Sequence, residues 1–344
     1  MTLIRACFAA ALVLQSPLAP QESQQRFRER VDVGRVLIDA RALDDRGEPL
    51  LGLTPSDFRV KIDGAPVRVE SATWIGEGER ALDAAASDRR SPSPDPAANH
   101  HRLIVFLFQK DLEPSRIFGL MRMLLKSRDL LETLTPGDRV AVLSFDTRLL
   151  VWTDFTGDRE RLQRLLGHDV LLGRPPIPEP SPAPSLLAHL DPEEARTTYG
   201  IEGALELIGA ALEPLPGAKT LVLIGHGFGR LGAGGMTMEN DYGAAAQALV
   251  ASRTSVFSLD VTEADAHSLE VGLQIVSSDT GGFYARTHIF PNVALRRMAG
   301  ALAGYYVLLV EGPEDSRPMH DIDVTLTRRK GRVLAAPRYA ERWR

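Results

Sequence analysis

Gln109, Lys110, Asp111 and Glu113 close the most apolar stretch of the chain, Leu103 to Phe108. A run of that length without polar alternation suits a strand buried on both faces, the central position in a parallel sheet covered by helices. Its polar tail then lies at the carboxyl end of the strand, where open α/β sheets bind ligands. His226, in Gly225-His226-Gly227, ends a second such run, and Ser144 and Asp146 end a third. A serine, an imidazole and a carboxylate at one sheet edge could perform Ser-His-Asp hydrolysis, although the chain has no GxSxG elbow to place the serine. Gly227-Phe228-Gly229-Arg230-Leu231-Gly232 satisfies GxGxxG after a predicted strand, and Asp260 ends the next strand. The glycines continue into loop (Ala233 to Asp241) instead of a helix, and Asp260 lies beyond the about 20 residues of a dinucleotide fingerprint. A flexible loop on the binding edge accounts for them better. His100 and His101 adjoin the first strand, and His168, His189, His267, His288 and His320 show no i, i+4 metal spacing.

These residues need a sheet to hold them. After Leu103–Phe108, apolar residues from Ile117 to Leu134 fall at helical spacing, with Pro114 in the first turn. Val140–Phe145 reads as a buried strand, Leu149–Trp152 as its partner and Asp158–Leu166 as a helix. Residues 171–198 break the rhythm with seven prolines, a loop length that is functional or mobile in compact domains; Leu186, Leu187 and Leu190 are its only apolar piece able to dock. Alternation resumes with a helix Tyr199–Leu212, a strand Thr220–Ile224, a helix Tyr242–Ala251 and a strand Ser255–Leu259. A helix Leu269–Ser277, a short strand Gly281–Ala285 and a helix Pro291–Leu302 follow. The pattern predicts an α/β domain over 101–304, a Rossmann-like, doubly wound, mostly parallel sheet.

The flanks read differently. Val36 to Val69 alternates with period two between turns at Asp44–Gly47 and Asp63-Gly64, and Tyr305 to Ala335 does the same. Each set is too small to be stable alone. Joining 31–76 and 305–344 in one small β-sandwich, with the α/β domain inserted between its halves, completes both. Residues 77–100, rich in Ala, Ser, Asp, Arg and Pro, read as a disordered linker. Residues 1–20 have the layout of a signal peptide, with Arg5 ahead of an apolar run too short to span a bilayer. The one cysteine, Cys7, lies inside it, so disulfides and thiolate chemistry are excluded from the mature chain. The expected location is therefore exported, periplasmic or secreted. A net charge of −5 over 344 residues gives no basic field for nucleic acid.

Six segments in order carry a family resemblance: Asp57–Gly64, Thr135–Val142, Asp154–Asp158, Gly217–Ile224, Thr280–Gly282 and Tyr305–Leu308. Together they resemble exported bacterial proteins with a von Willebrand factor A-related domain, of the type abundant in acidobacteria. The resemblance implies a protein-binding module, not an enzyme, with a protein or other extracytoplasmic macromolecule as partner. It also implies a metal-ion-dependent adhesion site, in which oxygens of an Asp-x-Ser-x-Ser motif, a threonine and an aspartate hold Mg²⁺ or Mn²⁺ while one position stays open for a partner's carboxylate. Here Gln109 stands at the first aspartate position, Asp111 and Glu113 at the serines, Thr198 (or Thr197) at the threonine and His226 at the last aspartate. The expected cation site is thus a degenerate one, Gln109, Asp111, Glu113 and Thr198, and the expected contact edge includes Lys110, His226, Phe228 and Arg230.

Overall fold

The computed structural model describes residues 34–76, 102–233, 235–313, 317 and 319–340. The expected signal peptide at 1–20, the expected linker at 77–100, and His100 and His101 lie outside them.

A six-stranded sheet forms the centre. Its strands are β5 (Leu103–Gln109), β6 (Arg139–Phe145), β7 (Leu149–Thr156), β8 (Lys219–Gly225), β11 (Thr254–Asp260) and β12 (Tyr284–Arg286), in the order β12-β11-β8-β5-β6-β7. All neighbours are parallel except β7, which runs antiparallel to β6. The alternate side chains of β5 explain its unbroken apolar run. Ile104, Phe106 and Phe108 enter one core, with helices α1 (Pro114–Glu132) and α7 (Pro291–Ala303). Leu103, Val105 and Leu107 enter another, with α4 (Ile201–Leu212), α5 (Tyr242–Ala251) and α6 (Glu270–Asp279). Both faces are covered, so neither tolerates a polar residue.

Strand order reverses at β5: the chain moves to β6 on one side and later returns to β8 on the other. The connections after β5 and β8 leave in opposite directions, which opens a crevice at their carboxyl ends. Gln109 ends β5 and His226 follows β8, so the two flank that crevice.

The helix after β7, α2 (Arg159–Arg164), continues through a π turn at Leu165–Asp169 and a last turn at Val170–Leu172. Within the proline-rich segment, Pro192–Thr197 forms α3, and Leu186 and Leu190 join the core on the α4 side. Asp154 on β7 ties this segment down: its carboxylate accepts from the N–H groups of Ser181 and Leu186 and from the hydroxyls of Ser181 and Ser185. The predicted strand at Gly281–Ala285 is displaced, with β12 starting at Tyr284. Gly281 turns the chain at φ +72°, and Gly282 passes so close to the Val256 carbonyl that a Cβ would lie 1.8 Å from its oxygen. A short hairpin, β9 (Arg230–Gly232) with β10 (Gly235–Thr237), occupies the glycine-rich loop.

The flanking strands pair with one another across the length of the chain. One four-stranded antiparallel sheet is β15 (Arg332–Leu334), β1 (Arg35–Leu43), β13 (Gly304–Glu311) and β4 (Val69–Gly76); the other is β16 (Arg338–Ala340), β14 (Met319–Leu326), β2 (Phe58–Ile62) and β3 (Ala65–Val67). Val36, Ile38, Phe58, Val60, Tyr306, Leu308, Ile322 and Val324, drawn from both, share one buried cluster. Arg41 of β1 reaches the central sheet, where its guanidinium donates to Thr220 Oγ1 (3.0 Å), Ser255 Oγ (2.8 Å) and the Ala301 carbonyl (3.2 Å). Arg102, at the entry to β5, is likewise buried, its fork on the Asp138 carboxylate.

Candidate functional site at the carboxyl edge of the sheet

At the crevice Gln109 is a structural clamp. Its side-chain oxygen accepts from the backbone N–H groups of His226 and Gly227 (3.1 Å each), and its Nε2 donates to the Gly227 carbonyl at 2.9 Å. A Cβ on Gly225 would lie 2.5 Å from the same oxygen, so a glycine is required there for the amide to reach the loop. The result is a buried amide whose oxygen and nitrogen are both engaged by the loop.

Asp111 and Glu113 share a counter-ion. Arg116, one helical turn into α1, donates through NH1 to Asp111 and lies 3.3 Å from Glu113 Oε2 through Nε. Burial lifts the Asp111 carboxyl, yet the Glu113 N–H and Arg116 together hold it below the usual carboxylate range. His226 Nε2 stands 3.8 Å from Asp111 Oδ2, and its Nδ1 has no hydrogen-bond partner among the described residues. Burial and then the positive charge of Arg116 push its pKa down to about 4, against the opposing pull of Asp111 and Asp260. The imidazole is therefore neutral at pH 7.

The other expected residues are spread more widely. Thr198 follows α3 and donates its hydroxyl to the Glu194 carbonyl at 2.6 Å. Lys110 Nζ lies 5.6 Å from the centre of the Trp152 ring. Phe228 is 4% exposed and packs into the core, whereas Arg230 is exposed on the hairpin, 3.9 Å from Glu239. Leu112, between the two acids, is 83% exposed. Ser144 is fully buried and its hydroxyl accepts from Trp152 Nε1 at 2.9 Å, while the Asp146 carboxylate accepts from the adjacent Thr147 N–H. That serine is shielded from any substrate at the edge.

The resemblance implied a divalent cation on Gln109, Asp111, Glu113 and Thr198. These residues do not fit one as arranged. The neutral amide is consumed by the loop and the threonine hydroxyl is committed to its own helix, which leaves two of the four expected ligands, Asp111 and Glu113, sharing the one positive charge of Arg116. Sequence reasoning missed Arg116; its place one turn into the predicted helix, on the side facing back to the strand end, was the available signal.

It also missed a cluster two strands away. Asp260 ends β11, His267 lies in the following loop and Glu270 opens α6; one ligand atom of each lies within 4.8 Å of the others. Asp260 Oδ2 is 2.8 Å from His267 Nε2 and 2.8 Å from the Tyr284 hydroxyl, which is also 3.0 Å from Glu270 Oε2. Arg286 grips Glu270 through Nε and NH2 at 2.9 and 2.7 Å, and with burial opposing and Tyr284 assisting, holds its carboxyl below the ordinary value. Burial and the Asp260 charge push the Tyr284 hydroxyl up, so it stays protonated.

No family model matches the chain, and no curated protein matches it. Among solved structures it is similar to a von Willebrand factor type A protein from Catenulispora acidiphila, at 11% identity and a TM-score of 0.43, over 85% of this chain and 75% of that one. It is also similar to BatB, a conserved hypothetical protein from Bacteroides thetaiotaomicron (15% identity, TM-score 0.38, 58% of this chain and 97% of that one). A third is the human COPII-coat protein Sec24c, at 12% identity and a TM-score of 0.40, over 70% of this chain. The chain spans 43% of the length of that protein. Among the described residues, no helix is long and apolar enough to cross a membrane.

Proposed function

We propose that this chain is an exported, von Willebrand A-like protein-binding module whose contact face is the carboxyl edge of the central sheet. On this reading the α/β domain, 101–304, is inserted in a β-sandwich made by 31–76 and 305–344, and that sandwich presents the edge to the partner. The observation that carries the reading is the build of the crevice mouth. Its buried groups, Gln109 and Phe228, brace the backbone, while its exposed groups, Leu112, Glu113 and Arg230, form an apolar projection among mixed charges. A rigid edge carrying an exposed apolar residue inside a charged rim suits a macromolecular partner better than a small substrate, which needs concave enclosure.

The test is photo-crosslinking in the producing cell, with a photoreactive residue at Leu112 and, as control, at Leu37 on β1, which is 50% exposed. A discrete protein adduct from position 112 and none from position 37, lowered by Arg230→Glu, is expected. Absence of an adduct, or equal adducts at both positions, overturns the reading. Fractionation of the same cells reports export.

A further inference from the structure

We propose that Asp260, His267 and Glu270 form a divalent-cation site for a borderline ion such as Zn²⁺, two strands from the position where the resemblance places its cation. The inference does not depend on the protein-binding reading.

The first argument is a proton count. The Tyr284 hydroxyl lies within hydrogen-bond distance of both Asp260 Oδ2 and Glu270 Oε2, 2.8 and 3.0 Å away. A tyrosine has one hydrogen to donate. One of the two contacts therefore sets oxygen against oxygen with no hydrogen of its own, in a pocket where Asp260 is 1% and Glu270 9% exposed. Arg286 brings one positive charge to the two carboxylates through Glu270, while Asp260 has only neutral backbone and hydroxyl partners, the Thr262 N–H and Tyr284, beside His267. A cation among these oxygens supplies the missing positive charge.

A second observation is independent of the cluster's own hydrogen bonds. Thr262, two residues beyond Asp260 and 8% exposed, has a buried hydroxyl with no partner among the described residues, although its backbone N–H is bonded to Asp260 Oδ1 at 2.9 Å. Buried hydroxyls are normally satisfied, and this one lies in the turn that carries the aspartate.

The donor set selects the ion. One imidazole nitrogen with two carboxylate oxygens matches Zn²⁺, and Mn²⁺ after it, whereas Mg²⁺ prefers oxygen alone. Arg286, gripping Glu270 from outside, has the orienting role that partners of metal ligands usually have. The His267 side chain is 17% exposed, so the site opens to solvent on the loop side. On binding, His267 Nε2 exchanges its hydrogen bond to Asp260 for a bond to the metal, and any proton it carried passes to solvent.

Calorimetric titration of the chelator-treated full chain with Zn²⁺ tests this, alongside visible absorption with Co²⁺ as a probe of nitrogen ligation. Saturable one-to-one binding is expected, weakened at least about tenfold by His267→Ala and by Glu270→Gln and unchanged by Asp111→Asn. Circular dichroism melting of each variant keeps loss of binding separate from loss of fold. No saturable binding by the unaltered protein overturns the proposal, as does binding that folded His267→Ala and Glu270→Gln both leave intact.

Discussion

Arg116 donates to the carboxylate of Asp111 from one turn into the helix that follows it. The positive charge at this corner of the edge is thus supplied by the chain. Replacing Arg116 with Gln frees Asp111 and Glu113 while costing less than about 1 kcal/mol of stability, since the pair is partly exposed. The variant is expected to gain a weak Mn²⁺-binding event at this edge that the parent lacks. Titration of Arg116→Gln with and without Asp111→Asn checks it, because only the single variant should show the additional event.

His226 gives the protein a defined acid sensitivity. Its folded pKa lies near 4, below the ordinary value of 6.5, so between these values the unfolded chain binds a proton that the folded chain refuses. Stability contributed by the neutral ring is present above pH 6.5 and falls as pH drops, by on the order of 3 kcal/mol at pH 4. Urea unfolding from pH 4 to 7 should show that part of the slope disappear in His226→Asn, relative to the parent under the same conditions.

Asp154 is expected to govern the proline-rich segment. Asp154→Ala removes the acceptor for three backbone N–H groups, those of Phe155, Ser181 and Leu186, and for two serine hydroxyls, at a cost of about 2–4 kcal/mol. Limited proteolysis should cut between residues 173 and 190 in the variant well before the parent, while Asp154→Asn, which keeps one acceptor, falls between them.

Arg41 couples β1 to the central sheet through two hydrogen bonds and to α7 through a third, all made in full burial. Arg41→Ala leaves Thr220, Ser255 and the Ala301 carbonyl short of donors and opens a void, for about 2–4 kcal/mol. Arg41→Met restores packing without the donors, and its midpoint in urea is expected between those of Arg41→Ala and the parent.

What the sequence made legible follows from where information is local. The apolar run of β5 could be read because both of its faces meet helices, and helices α5 and α7 begin at the residues predicted because Tyr242 and Pro291 follow unmistakable loop segments. The start of β12 could not be read, since Gly281 and Gly282 have the composition of a strand boundary but are fixed by close approaches, Gly281 to the backbone of Ala335 and Ala336 and Gly282 to that of Val256. The edge was foreseen, yet the roles of its residues were not. Gln109 was expected to face a ligand and instead braces the loop after β8, 117 residues away in sequence, a distance over which no local pattern speaks. Asp260, His267, Glu270 and Tyr284 converge only through the path of one loop and the pairing of β11 with β12. Their spacing matches no periodic template.

The pairing of Gly76 with Gly304 has a mechanical consequence. Tension applied to the chain at Gly34 and at Arg338 reaches the central sheet along the backbone through β4 and β13, and across it through side chains such as Arg41 and Asp39 of β1. These strands are antiparallel and are loaded from the Val69–Val310 end, so they must part pair by pair before force reaches Gly76 and Gly304. Until then the backbone of the central sheet is off the line of pull, and a contact made at its carboxyl edge is loaded through those side-chain bonds while the flanking strands bear the rest.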